Sequence, residues 1–171
     1  MSRPRDREWK KDEFFISTDP SLVPIATLSS ALASPLMYWA KGMPDDAIEL
    51  ALRNSLCFGL YDTSRPKPTE TTWHLVGFAR GVTDFTTFLY ITDVYVDPAY
   101  QGKGLGTWMM RCVKDVLAEM PHLRRCMLFT SNWEKSVPFY EDVLGMEVMA
   151  GDKDKGELAV MGVKGKGHST M

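Results

Sequence analysis

Three groups of residues in this chain are suited to chemistry. In Gln101-Gly102-Lys103-Gly104-Leu105-Gly106-Thr107, three glycines at alternate positions open a helix-forming run. Glycines at that density let the backbone approach a ligand closely and turn its N–H groups inward. The helix that follows adds its positive end, so the segment suits a phosphate or pyrophosphate. Asp93 is an acid in the otherwise apolar run 88–96. A carboxylate there is costly unless paired, so it serves either a functional site or a structural hydrogen bond with a neighbouring loop. Tyr38 and Trp39 form an aromatic pair that suits a cation or a flat apolar group, or a packed lid over the core. Cys57, Cys112 and Cys126 are odd in number and widely spaced, and His74, His122 and His168 are scattered. Neither set has the spacing of a metal site or a disulfide framework, and the thiols read as reduced and buried.

The elements that must position these groups follow from pattern. Phe14–Ser17 reads as a short strand closed by a Thr-Asp-Pro turn. Pro24 suits a first helical residue, and Ile25, Leu28 and Leu32 then fall at helical spacing, so a helix runs over 23–33. The segment 34–43, with Tyr38 and Trp39, breaks that pattern as a loop or single turn. Pro44-Asp45-Asp46 opens a second helix with Ile48, Ala51 and Leu52 inward. Strands over 55–61 and 72–82 form a hairpin, extended into a meander by the central strand 88–96. After the glycine loop, Leu105, Met109, Cys112, Val113, Val116 and Met120 make one apolar helix face, ended by Pro121. Arg125–Thr130 follows a helical crossover and should lie parallel to the central strand. A short helix over 136–143 and strands over 146–149 and 157–163 complete the pattern. The fold class is α/β, a mixed sheet with helices on both faces.

The 171 residues predict a single domain over 12–163, with loose ends at 1–11 and 164–171; the Lys-Gly-Lys-Gly of the tail reads as composition. A net charge of −2, with 44% hydrophobic and 25% charged residues, is that of an ordinary globular chain and gives no reason to expect nucleic-acid binding. The charged N-terminus lacks a signal-peptide core, and no apolar run reaches the roughly 18 residues of a membrane span. These features predict a cytoplasmic protein, or a nuclear one, without a membrane partner. Nothing in the sequence chooses between monomer and homodimer.

The spacing of the loop discriminates among phosphate binders. A Walker A loop needs Gly-Lys followed by Ser or Thr, whereas Lys103 precedes Gly104; a dinucleotide fingerprint needs GxGxxG straight after the strand, whereas this loop is GxGxG after the turn 97–100. The match is Gln-x-x-Gly-x-Gly at Gln101, Gly104 and Gly106, between Val94-x-Val96 and an amphipathic helix. This resembles the pyrophosphate-binding motif of the GNAT superfamily of acyl-CoA-dependent N-acetyltransferases. Phe139-Tyr140, followed by Gly145-Met146, looks like that family's second signature, and the element order from about Phe14 to Val163 is similar too.

The resemblance implies a sheet, mostly antiparallel, whose central parallel pair splays apart. It also implies acetyl-CoA as co-substrate, with the backbone of Val94, Tyr95 and Val96 binding the pantetheine arm. Gln101, Gly102, Lys103, Gly104, Leu105, Gly106 and Thr107 would hold the pyrophosphate, and Asn132 and Phe139 would add contacts. Tyr140 would be the acid for the departing thiolate, with a packed helix aromatic as its alternative. Relatives acting on polyamines carry an acidic pair where this chain has Thr92 and Asp93, so Asp93 alone is left as candidate base or amine ligand. Tyr38 and Trp39 would wall the acceptor. The expected activity is acetyl transfer to a primary amine of a small molecule by direct attack in a ternary complex, without a metal. The alternatives are a non-catalytic acyl-CoA-binding module and a protein or peptide N-acetyltransferase.

Overall fold

Strand β3 (Ser55–Asp62) is buried at all eight positions, as a mostly apolar run bounded by Asn54 and Thr63 requires. A computed structural model of the chain, which describes residues 6–38, 40–67 and 72–169, builds the sheet around such runs. The other strands are β1 (Glu8–Lys11), β2 (Phe14–Ser17), β4 (His74–Thr83), β5 (Phe88–Val96), β6 (Arg125–Thr130), β7 (Glu147–Ala150) and β8 (Ala159–Lys164). Four α-helices accompany them, α1 (Ile25–Leu32), α2 (Asp45–Arg53), α3 (Leu105–Ala118) and α4 (Ser136–Leu144). The strands are hydrogen-bonded in the order β1-β2-β3-β4-β5-β6-β8-β7. The sheet is mostly antiparallel, and β5 with β6 is the parallel pair that the helical crossover requires.

The chain divides into two compact units, Met1–Gly81 with Asp93–Met109, and Val82–Thr92 with Met110–Met171. In the first unit, β1 pairs antiparallel with β2, and β2 with β3. The sheet therefore begins at Glu8, inside the stretch that composition assigns to a loose end. Helix α1 starts at Ile25, and Pro24 is its N-cap in extended conformation rather than its first helical residue. Helix α2 carries Asp45 and Asp46 in its first turn and Arg53 in its last, each complementing the helix dipole. Leu28, Leu32, Ile48 and Leu52 pack with Phe15, Met37, Tyr61, Phe78 and Tyr95 into one apolar cluster.

In the second unit, the apolar face of α3 continues through Cys112, Val113 and Val116 to Met120, all buried, with Met110 added to the set the spacing had indicated. Helix α4 ends on Gly145 at φ 66°, a left-handed C-cap that favours glycine. β6 pairs along its length with β8, and β8 with β7. The tail is also built in. Gly165 N–H donates to Arg124 O at 3.1 Å, Gly167 N–H to Leu123 O at 2.8 Å, and Lys166 Nζ to Ala118 O at 2.9 Å. A Cβ at Gly165 would lie 2.3 Å from Leu123 O, and one at Gly167 2.3 Å from His122 O. These glycines answer to close packing, which the composition of the tail does not reveal. No helix among the described residues is long and apolar enough to cross a membrane.

Candidate functional site

Alternation along β5 is interrupted at Asp93, whose backbone is left-handed at φ 53°. A side chain in that region costs about 1–2 kcal/mol, least for the short polar residues that bond locally. Asp93 Oδ2 accepts from Arg80 Nε at 2.7 Å, and Arg80 Nη1 donates to Ser55 Oγ at 3.2 Å. The two charged side chains are 12% and 20% exposed, shielded enough for the pair to matter. The partner of Asp93 is thus a neighbouring strand, not a loop. Oδ1 of Asp93 makes no hydrogen bond among the described residues. Arg80 was the signal available in the sequence, a lone cation inside a strand pattern, but strand register alone would have joined it to Asp93.

Pairing of β5 with β6 covers only Phe88↔Arg125, Leu89↔Cys126 and Tyr90↔Met127. From Ile91 to Val96 the strand has no β6 partner, so part of its backbone edge is left for another group to satisfy. The chain then turns through Asp97, whose Oδ1 accepts from Ala99 N–H at 2.8 Å. Tyr100 donates to Asp62 Oδ2 at 2.7 Å and packs edge-on against Phe14. Burial opposes ionisation of Asp62, but hydrogen bonds from Ser64 and Tyr100 outweigh it and hold the carboxyl below its ordinary range. Gln101 Nε2 donates to Val96 O at 2.9 Å and ties the loop to the strand end.

Gly102 and Gly104 lie at φ 81° and 74°, with nothing within 4 Å of a Cβ at either, so backbone conformation alone calls for glycine there. Gly106 has ordinary φ, and its Cβ would make a 3.7 Å contact with Val96 Cγ2. Trp108 N–H donates to Gly104 O, which leaves the N–H groups of Leu105, Gly106 and Thr107 without intrahelical acceptors at the start of a fourteen-residue helix. Lys103 Nζ lies 5.5 Å from the centre of the Tyr100 ring. The segment can therefore hold an anion by backbone donors, helix dipole and one ammonium.

The second unit carries Phe139 and Tyr140 on α4, their rings 5.0 Å apart and edge to face. Tyr140 is 8% exposed, and burial pushes its phenol up to about 12. Its hydroxyl makes no hydrogen bond among the described residues. Asn132 Oδ1 accepts from Lys135 N–H at 3.0 Å, and its carbonyl from Ser136 N–H at 3.0 Å, which organises the first turn of α4. Cys126 is buried, and burial pushes its thiol up to about 12; Cys57 and Cys112 are buried too. None offers a ready thiolate nucleophile.

Tyr38 is 66% exposed, beside the buried Met37. Trp39 lies outside the described residues. Two groups that the sequence did not single out are the hydroxyls of Tyr61 and Tyr95, both buried in the apolar cluster of the first unit without a hydrogen-bond partner among the described residues. Burial raises both phenols well above the ordinary tyrosine range. Tyr61 stacks on Phe15 at 4.7 Å. Only a structure distinguishes such orphaned hydroxyls from ordinary strand aromatics. Among the described residues no group of three or more His, Cys, Asp or Glu is placed to hold a metal ion.

Comparison with known proteins supplies the remaining observation. Residues 27–146 match the model of the acetyltransferase (GNAT) family. The Gibberella zeae protein "Putative acetyltransferase FG08082" is 40% identical over 137 residues, covering 75% of this chain and 77% of that protein. A crystal structure from Xanthomonas campestris, described as a "putative acetyltransferase belonging to the gnat family", is 32% identical with a TM-score of 0.61, over 74% of this chain and 82% of that one. Spermidine N-acetyltransferase from Vibrio cholerae, solved with CoA and spermine, shares the fold at 12% identity and a TM-score of 0.68, over 91% of this chain and 97% of its own.

Proposed function

Because the chain belongs to the acetyltransferase (GNAT) family, we propose that it transfers the acetyl group of acetyl-CoA to a primary amine of a small molecule, by direct attack in a ternary complex. Acetyl-CoA is the co-substrate of the family, and the residues present suit it. The left-handed Gly102 and Gly104 and the open N–H groups of Leu105, Gly106 and Thr107 suit a pyrophosphate. The edge of β5 beyond Tyr90, unpaired with β6, suits an extended amide-bearing arm.

In the proposed reaction the neutral amine forms the C–N bond as the C–S bond breaks. A backbone N–H near Val94 stabilises the developing oxyanion. The amine's proton leaves through water toward the open Oδ1 of Asp93, whose other oxygen is held by Arg80. Tyr140 serves the departing sulfur. A phenol at about 12 is a weaker acid than a thiol at about 8.5, so Tyr140 first stabilises the thiolate by a hydrogen bond. It protonates the sulfur outright only where desolvation raises the sulfur's basicity.

The observation that carries the reading is the Tyr140 hydroxyl, on a buried side chain, neutral at physiological pH and without a hydrogen bond among the described residues. The ring is held by burial while the hydroxyl is committed to no protein partner among the described residues, so it is available to a reacting sulfur. The small acceptor is supported by Tyr61 and Tyr95, whose orphaned hydroxyls suit the polar end of a compact molecule among aromatic side chains. The test is release of CoA thiol across a panel of amines, with acetyl-CoA affinity measured in parallel. Turnover on a small amine is expected, with Tyr140→Phe lowering kcat by about a hundredfold or more at unchanged acetyl-CoA affinity. Tight acetyl-CoA binding without turnover on any amine would point to a binding module. Turnover confined to peptides would point to a protein acetyltransferase.

A further inference from the structure

The second unit contains a cleft of about 590 Å³ where the start of β5, the start of β6 and the C-terminal tail meet. It is lined by Thr87, Phe88, Arg124, Arg125, Gly167 and His168, among others. No residue lining it is among those assigned to acetyl-CoA. Its walls are stitched by backbone hydrogen bonds. Arg124 N–H donates to Thr87 O at 2.7 Å, and Arg124 O accepts from Gly165 N–H at 3.1 Å. With the close packing of Gly165 and Gly167, these bonds fix the tail against β6.

The charge distribution of the cleft is unbalanced. Arg124 and Arg125 are consecutive, and no carboxylate among the described residues lies within ion-pair distance of either. Among the described residues the guanidinium of Arg125 contacts His168 Nε2 at 3.1 Å and Met149 Sδ at 3.9 Å, and no carboxylate. Arg125 also stands directly opposite Lys164 in the antiparallel β6–β8 ladder. Like charges in that register repel and destabilise a sheet. The acid of the adjoining hairpin, Asp84, stays ionised, but its carboxylate is directed onto the N–H groups of Thr86, Thr87 and Phe88 and onto Thr87 Oγ1, and it makes no ion pair with either arginine. Two formal positive charges thus line one cleft, with a third opposite Arg125 in the ladder, in a chain whose net charge is −2.

From this we infer that the cleft is a binding site for a phosphate-type dianion, either inorganic phosphate or the phosphate of a small monoester. Two adjacent guanidiniums match the oxygen geometry of a phosphate and form charge-assisted hydrogen bonds with it. A bound dianion turns the Arg125–Lys164 repulsion into two attractions. The Phe88 side chain, 39% exposed at the cleft, offers an apolar face to whatever the phosphate carries.

The test is a titration of the full chain, saturated with acetyl-CoA so that the glycine loop is occupied, with inorganic phosphate and separately with AMP, followed by amide NMR shifts. Saturable shifts are expected at Thr87, Arg125 and Gly167 at millimolar phosphate. Arg124→Gln with Arg125→Gln should weaken binding by at least about tenfold, at unchanged acetyl-CoA affinity. Should that double variant fail to fold, Arg124→Gln alone, at an exposed side chain, gives the same comparison. Tighter binding of AMP than of phosphate assigns the site to a ring-bearing monoester, and equal binding assigns it to free phosphate. Absence of saturable shifts, shifts confined to 101–107, or affinity unchanged by the arginine substitutions would overturn the assignment.

Discussion

Asp93 combines three properties that are rarely found together, a left-handed backbone, a short ion pair to Arg80 and a second carboxylate oxygen left open. The Arg80–Asp93 pair offsets the backbone cost and fixes where the open oxygen points. Removing Arg80 leaves a shielded carboxylate without its cation, so Arg80→Met should lower stability by about 2 kcal/mol, and Asp93→Asn by about 1 kcal/mol. Urea denaturation of the two variants measures this; equal and negligible effects would mean that solvent screens the pair. Buried neutral groups set the alkaline limit. Cys126 and Tyr140 are both held neutral to about 12 in the fold, whereas the unfolded chain releases these protons near 8.5 and 10. Their contribution to stability is therefore complete below about pH 8.5 and is lost progressively up to about pH 12. Unfolding free energy followed by circular dichroism should fall across that window, and Cys126→Ala should flatten the part below about pH 10.

Among the elements, the strand–loop–helix from β5 to α3 is the one proposed to hold acetyl-CoA, and its glycines divide into two kinds. Gly104→Ala places a Cβ at positive φ and should cost about 1 kcal/mol of stability. Gly106→Ala makes only an ordinary contact with Val96 and should leave stability unchanged while weakening acetyl-CoA about tenfold or more, through lost close approach. Thermal unfolding with and without acetyl-CoA separates the two; equal acetyl-CoA affinity for wild type and the Gly106 variant would contradict the role given to the loop. The sequence spacing predicted the bounds of β5 and β6 as they stand, because a long apolar run and a helical crossover leave few other arrangements. The stripe on α3 was legible for the same reason, at five of its six buried positions. Strand β1 was not, since EWKK has one apolar residue and depends on β2 for its order. Nor were the Arg80–Asp93 pair and the Gly165–Gly167 packing, which join residues far apart in sequence.

For the whole molecule, the pattern of charge matters more than its total. A net −2 gives no reason to expect a broad basic face, yet neighbouring strands set Arg125, next to Arg124 in the chain, opposite Lys164. The family match, residues 27–146, includes residues of both compact units. The buried thiols offer no ready nucleophile for a covalent acetyl carrier, which is why the proposed reaction is a direct transfer with both substrates bound. The measurement that tests this most directly is initial velocity with acetyl-CoA and a small primary amine varied together. Lines that intersect in double-reciprocal form, with no burst of CoA thiol before amine is added, are the predicted result. Parallel lines with a stoichiometric burst would contradict direct transfer and require an acetylated residue.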